Sequence, residues 1–195
     1  MKKSSVDLVV TSPPYSDMKK YASGFAGVHP DKYVDWFMPF VSEIDRILKK
    51  TGSFILNIND KVVDGFRHTF VFDLVGTIVH RTELKLYERL FWNKGKFIPY
   101  RYRFGDKVEY LFWFAKDKSK TFNLDDMRVP YDPKSIVRMK SPVKARFQRK
   151  PDEKVGKKEW KPNEKGALPS TLVTIGSETK KILNSHCAVY PEKLV

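Results

Sequence analysis

Apolar positions recur along this chain in two rhythms, every second residue or every three to four, and the changes of rhythm mark the predicted elements. Val6-Asp7-Leu8-Val9-Val10 is a short β-branched run, expected to be a buried strand that Pro13 and Pro14 stop abruptly. Ser16 to Pro30 is polar and glycine-containing, a loop. From Asp31, the residues Tyr33, Trp36, Phe37, Phe40, Val41, Ile44, Ile47 and Leu48 follow helical spacing. Asp31 is the expected N-cap, Lys49 and Lys50 suit the negative C-terminal end, Thr51-Gly52 ends the helix, and Pro39 is expected to kink it. Ser53 to Ile58 is a second predicted strand and Asn59 to Arg67 a loop. His68 to Arg81 is a second helix, with Phe70, Val71, Leu74, Val75 and Ile78 on one side. Leu84 to Trp92 and Val108 to Ala115 are two more strands, the last one antiparallel. After Lys116 the regularity fades; Thr121 to Tyr131 suggests a brief extension and Leu168 to Ile175 a short strand. Strand, helix, strand, helix, strand predicts an α/β sheet with helical crossovers.

Composition supports a folded domain. Hydrophobic residues make up 41% and aromatics 14%, with 14 Phe, nine Tyr and four Trp among 195 residues. Apolar runs are short and broken by charge, so neither a membrane span nor the apolar core of a secretory leader is visible. The single cysteine, Cys187, cannot form an internal disulfide, and a cytoplasmic location is expected. Charge adds the first functional hint. Thirty-seven Lys and Arg against 23 Asp and Glu give a net +14, which suits a polyanionic partner, nucleic acid or an acidic surface. Lys134 to Lys165 concentrates twelve basic residues against four acidic ones and holds Pro142, Pro151 and Pro162. That pattern predicts a basic loop suited to phosphate contacts, with a solvated linker as the alternative.

Ligands of open α/β sheets bind at the carboxyl edge of the strands, and the first strand ends in Thr11-Ser12-Pro13-Pro14-Tyr15. Two prolines fix the backbone direction and remove two donors, leaving the Pro13 carbonyl to accept a hydrogen bond. Ser12 adds a hydroxyl and Tyr15 a flat ring. Such a group can receive a planar base with an exocyclic amine. Asn57 and Asn59 close the second strand; they suit contact with a cofactor or base, or equally the capping of the next turn, and Asp60 stands in the same position. Lys94, Arg101 and Arg103 lie among aromatics and suit phosphate contact or a solvated face.

Asp7 to Tyr15 resembles the catalytic motif of the DNA amino-methyltransferases, and its Ser-Pro-Pro-Tyr form resembles the cytosine-N4 branch. Further blocks follow in the family's order. Leu48 to Ile58 resembles its next helix–turn–strand, and Glu88 to Lys94 its strand ending in Trp and Lys. Arg103 with Glu109 to Lys116 matches the strand after that, and His186 to Leu194 is similar to the lead-in to the cofactor motif. The resemblance implies a partial Rossmann-like methyltransferase sheet, the catalytic half, with a basic, loop-rich target-recognition region. It implies S-adenosyl-L-methionine as cofactor and double-stranded DNA as substrate, with no metal and no membrane. The motif residues Ser12, Pro13, Pro14 and Tyr15 would be catalytic, and Thr11, Asn57 and Asn59 would meet the cofactor. Lys94, Arg101, Arg103, Lys144, Arg146 and Arg149 would contact DNA.

The chemistry implied is direct attack of the exocyclic nitrogen on the sulfonium methyl. Hydrogen bonds from the amine to the Pro13 carbonyl and to Ser12 localise its lone pair, and Tyr15 stacks on the flipped base. No covalent nucleophile is required, so Cys187 has no catalytic part. The family's Gly-rich cofactor motif has no counterpart, because no G-x-G occurs in these 195 residues. Either a complementing polypeptide that carries this motif is therefore expected or the chain is a truncated relic, and the first strand is expected to present an unpaired edge. The expected divisions are 1–116, the catalytic half; 117–180, target recognition; and 181–195, the lead-in to the cofactor half. Site-specific cytosine-N4 methylation in a restriction–modification system is the leading expectation. Adenine-N6 methylation and a non-catalytic DNA-binding fragment are the alternatives.

Overall fold

The computed structural model describes residues 1–18, 25–95, 97, 99–139, 162–176, 191 and 194. The chain divides into two compact units, Met1–Thr121 with Thr171–Val195, and Phe122–Ser170.

The larger unit is built on a five-stranded mixed sheet. Its strands are β1 (Val6–Thr11), β2 (Leu48–Ile58), β5 (Lys85–Asn93), β6 (Val108–Ala115) and β7 (Leu172–Thr174), in the order β1-β2-β6-β5-β7. The short β3 (Val62–Val63) and β4 (Phe66–Arg67) form a separate hairpin. β1 runs parallel to β2, β6 is antiparallel to both β2 and β5, and β7 is parallel to β5. Helix α1 (Pro30–Ile47) connects β1 to β2, and α2 (Phe70–Arg81) leads into β5. The expected α/β sheet with helical crossovers and an antiparallel β6 is therefore present, and the short strand expected within Leu168 to Ile175 is β7.

Sheet periodicity decides which face is which. Phe54, Leu56 and Ile58 of β2 and Phe112 and Phe114 of β6 are buried with Tyr33, Phe37 and Val41 of α1 and Phe70, Leu74 and Ile78 of α2. The alternate positions Asn57, Glu109 and Leu111 belong to the opposite face, which carries the polar chemistry described below.

Four local expectations are corrected. His29, not Asp31, is the N-cap of α1, with Pro30 in the first turn where its missing N–H costs nothing. The helix includes Pro39 on its exposed side, as expected. It stops at Ile47, so Lys49 and Lys50 belong to β2 rather than to the helix end. Gly52 is likewise inside β2: a Cβ there would lie 2.8 Å from Leu48 Cγ and 3.0 Å from the Asp7 carbonyl, so glycine permits the close approach of β1. Finally, residues 59–67 are not a plain loop, because they carry the β3–β4 hairpin, turned at Asp64 and Gly65 with φ of 48° and 85°.

Arg67 of β4 contacts the carboxylates of both Asp60 and Asp106, pinning the hairpin beside the start of β6. Burial raises the pKa of Asp60, and Arg67 partly offsets this. Arg67→Ala is therefore expected to destabilise the protein by about 1–3 kcal/mol at neutral pH. Because the folded-state pKa of Asp60 would rise further, that loss is absent in acid, where the carboxyl is protonated in both states. It grows as pH rises into the neutral range. Urea midpoints of wild type and variant across pH 4 to 8 check this.

The second unit contains a 3₁₀ turn at Leu124–Met127, helix α3 (Pro133–Met139) and an antiparallel bridge between Val129 and Ala167. Arg128 anchors it, bonding Asp125 at 2.8 Å and the Gly166 carbonyl at 2.9 Å. Among the described residues no helix is long and apolar enough to cross a membrane.

Candidate active site

Four strands deliver polar groups to one edge of the sheet. β1 and β2 are parallel and end there, β6 starts there, and β5 ends there because it is antiparallel to β6. Ser12 and Tyr15 follow β1, Asn57 is the penultimate residue of β2, Glu109 is the second residue of β6, and Lys94 follows β5. Topology alone thus brings Tyr15 and Glu109, 94 positions apart, into direct contact.

The side chains form one connected network. The Tyr15 hydroxyl donates to Glu109 Oε2 at 2.8 Å and lies 2.9 Å from Ser12 Oγ. Asn57 Nδ2 donates to the Tyr15 hydroxyl at 2.7 Å and reaches Glu109 Oε2 at 3.3 Å and Ser12 Oγ at 3.4 Å. Lys94 Nζ pairs with Glu109 Oε1 at 2.9 Å. Burial, then the charge of Glu109, push the Tyr15 phenol far above its ordinary pKa. The phenol therefore stays protonated and acts as a donor. Asn57 Oδ1 is buried and has no partner among the described residues. A buried acceptor without a donor is costly, and a bound ligand carrying an N–H or O–H would satisfy it, so the site fits a cofactor or base with such donors.

The backbone of the motif is held from both sides. The Tyr33 hydroxyl of α1 donates to the Pro14 carbonyl at 2.7 Å, and the Ser16 N–H donates to the same oxygen at 3.0 Å. The Pro13 carbonyl takes no donor among the described residues. Gly27 lies against the turn that follows; a Cβ there would come within 2.4 Å of the Ser16 carbonyl, so no other residue fits. Tyr33→Phe removes one of two donors at Pro14 and is expected to cost about 1 kcal/mol of stability. Thermal unfolding of the two proteins measures it.

The candidates fare differently. Ser12, Tyr15, Asn57 and Lys94 come together, with Pro13 and Pro14 beside them. Thr11 ends β1, paired with Leu56. Asn59 Oδ1 accepts from the Asp60 N–H at 3.1 Å, the turn-capping alternative. Lys94 spends its charge on Glu109. Arg101 is exposed, its guanidinium 5.2 Å from the Tyr102 ring, and Arg103 donates to the Gly65 carbonyl at 2.9 Å. Lys144, Arg146, Arg149 and Cys187 lie outside the described residues. Sequence reasoning missed two members. Glu109 was visible as an acid placed two residues before Leu111 on the same strand face, and Tyr33 was indistinguishable from the apolar positions of its helix.

Comparison with known proteins places this geometry. The chain is 25% identical over 212 residues to the type II methyltransferase M.PvuII of Proteus hauseri, covering 97% of this chain and 62% of that protein. It is 29% identical over 212 residues to the orphan methyltransferase M.BamHII of Bacillus amyloliquefaciens, covering 97% and 69%. Against the DNA adenine methyltransferase YhdJ of Escherichia coli (strain K12) it is 27% identical over 128 residues, covering 64% and 40%. The solved PvuII DNA methyltransferase (cytosine-N4-specific) superposes with a TM-score of 0.65 at 19% identity, over 99% of this chain and 62% of that one. That likeness establishes the Rossmann-like methyltransferase fold, and the chain spans about 62% of the length of this relative. With residues 6–195 matching the family, the chain belongs to the N6_N4_Mtase family of DNA methylases.

Proposed function

We propose that this chain is the catalytic part of a site-specific methyltransferase that modifies the exocyclic N4 of a flipped cytosine in double-stranded DNA, in a restriction–modification system. One observation carries the reading: Ser12, Tyr15, Asn57, Glu109 and Lys94 meet at the carboxyl edge of the sheet, beside the open Pro13 carbonyl. The net charge of +14 suits a phosphate backbone.

An exocyclic amine is a weak nucleophile because its lone pair is delocalised into the ring. The Pro13 carbonyl and Ser12 Oγ accept its two N–H groups and draw the nitrogen toward tetrahedral geometry. Both acceptors are fixed beforehand, the carbonyl by the two prolines and Ser12 by its side-chain network. Tyr15 presents its ring to the flipped base while its hydroxyl is anchored to Glu109. Bound S-adenosyl-L-methionine would supply the electrophilic methyl that the amine, held by the Pro13 carbonyl and Ser12, attacks. Thr11 and the open Asn57 Oδ1 would hold the cofactor, with Asn59 next to them.

β1 is the edge of the sheet among the described residues, with Leu8 51% exposed. An apolar edge of this kind is a template for further strands. A complementing polypeptide that carries the Gly-rich cofactor motif would add them there. Target recognition is assigned to 117–180, with Arg101, Arg103, Lys144, Arg146 and Arg149 on phosphates.

Adenine-N6 methylation is the second reading, favoured by the similarity to YhdJ. Digestion of methylated DNA to nucleosides separates the two: N4-methylcytosine supports the first and N6-methyladenine the second.

A further inference from the structure

We propose that Glu109, held by Lys94, is a positioning residue that sets the direction of proton donation through Tyr15 to Ser12, so that Ser12 faces the substrate amine with a lone pair. The inference rests on the methyl-transfer reading and concerns how its acceptor is prepared.

Proton accounting leads to this arrangement. A carboxylate only accepts hydrogen bonds, and Lys94 only donates. Lys94 takes Glu109 Oε1 at 2.9 Å, leaving Oε2 for the Tyr15 hydroxyl at 2.8 Å. A phenol has one proton, and Tyr15 has given it to Glu109. Its oxygen can now only accept, and it does so from Asn57 Nδ2 at 2.7 Å. The remaining contact, 2.9 Å from Tyr15 to Ser12 Oγ, must then have Ser12 as donor. The single hydroxyl proton of Ser12 is thereby turned inward. Its oxygen is left as an acceptor, approached by no donor among the described residues except Asn57 Nδ2, at the long distance of 3.4 Å.

Without Glu109 the polarity of the relay is open. Tyr15 could donate to Ser12, and the Ser12 proton would turn toward the amine, placing donor against donor. The charge of Glu109 thus acts three hydrogen bonds away from the reacting nitrogen, through a partly buried chain in which each bond polarises the next.

The relay predicts the behaviour of Glu109→Gln and its rescue. In this variant Lys94 claims the amide oxygen, so the amide nitrogen meets Tyr15 and the relay reverses. The kcat for methyl transfer is expected to fall at least about tenfold with KM for DNA little changed. Lys94→Met combined with Glu109→Gln frees the amide oxygen to face Tyr15 and should recover most of that loss, whereas a merely structural pair would be slower still. A second readout needs no turnover: the Raman doublet of Tyr15, isolated by subtracting the spectrum of Tyr15→Phe. It should be that of a phenol donating to an anion in the wild type, and should lose that character in Glu109→Gln. An unchanged kcat in Glu109→Gln, a double variant slower than the single one, or a wild-type doublet without donor character would overturn the relay. A wild type that methylates no base even when a polypeptide carrying the Gly-rich cofactor motif is present would overturn the proposed function, while the Raman pair would still decide the relay.

Discussion

Ser12→Ala is expected to lower kcat for methyl transfer about 100- to 1,000-fold, the usual cost of removing one fixed hydrogen-bonding group from a transition state. In the proposed reaction the lost acceptor would act where charge changes most, at the amine nitrogen. Stability should shift by no more than about 1 kcal/mol. Tyr15 keeps its bonds to Glu109 and Asn57, and Ser12 contributes only one further hydroxyl to the network. DNA binding should also be retained, because phosphate contacts and the stacking ring are untouched. Initial rates of label incorporation at saturating DNA and cofactor measure the effect. A loss under about threefold would remove Ser12 from the chemistry and leave the Pro13 carbonyl as the acceptor that matters.

Phe114→Ala is expected to destabilise the fold by about 3–5 kcal/mol. Phe114 is fully buried on β6 and stacks on Phe54 of β2 at 5.6 Å, in the layer shared by both helices and the sheet. Folded domains hold only about 5–15 kcal/mol in reserve, so the variant should lose a large part of its stability. A fall in urea midpoint with an unchanged denaturant slope is the expected result. Phe104 provides the contrast: it is 96% exposed, and Phe104→Ala should change stability by less than about 0.5 kcal/mol. A core variant as mild as the surface one would place the hydrophobic layer elsewhere.

The strands and helices were legible because their burial is periodic. Val6 to Thr11, Phe54 to Ile58 and Val108 to Ala115 are apolar where the sheet is covered, and Tyr33, Phe37 and Val41 repeat at helical spacing where α1 packs. The boundary between α1 and β2 was not legible. Leu48 satisfies both the helical stripe and a strand start, and the role of Gly52 depends on a carbonyl more than 40 residues earlier. The β3–β4 hairpin was signalled by Asp64-Gly65, a favoured two-residue turn, but its strands are only two residues long and show no alternation. At the site, the Ser-Pro-Pro-Tyr segment and Asn57 could be found from their places at strand ends. The partnership of Glu109 with Tyr15 spans 94 positions and exists only because β6 runs antiparallel to β2. Lys94 illustrates the same limit: basic and flanked by aromatics, it suits a phosphate, and only the folded register reveals the carboxylate beside it.

The central claim is that this chain houses the amine-activating half of a DNA methyltransferase. Its most direct test is transfer of labelled methyl from S-adenosyl-L-methionine to unmodified DNA, followed by digestion to nucleosides. The chain would be assayed alone and again with a polypeptide carrying the Gly-rich cofactor motif. Label in N4-methylcytosine when both are present, and its loss in Ser12→Ala, is the predicted result. No label in either assay, with salt-sensitive DNA binding retained, would contradict the account and leave a DNA-binding fragment without chemistry.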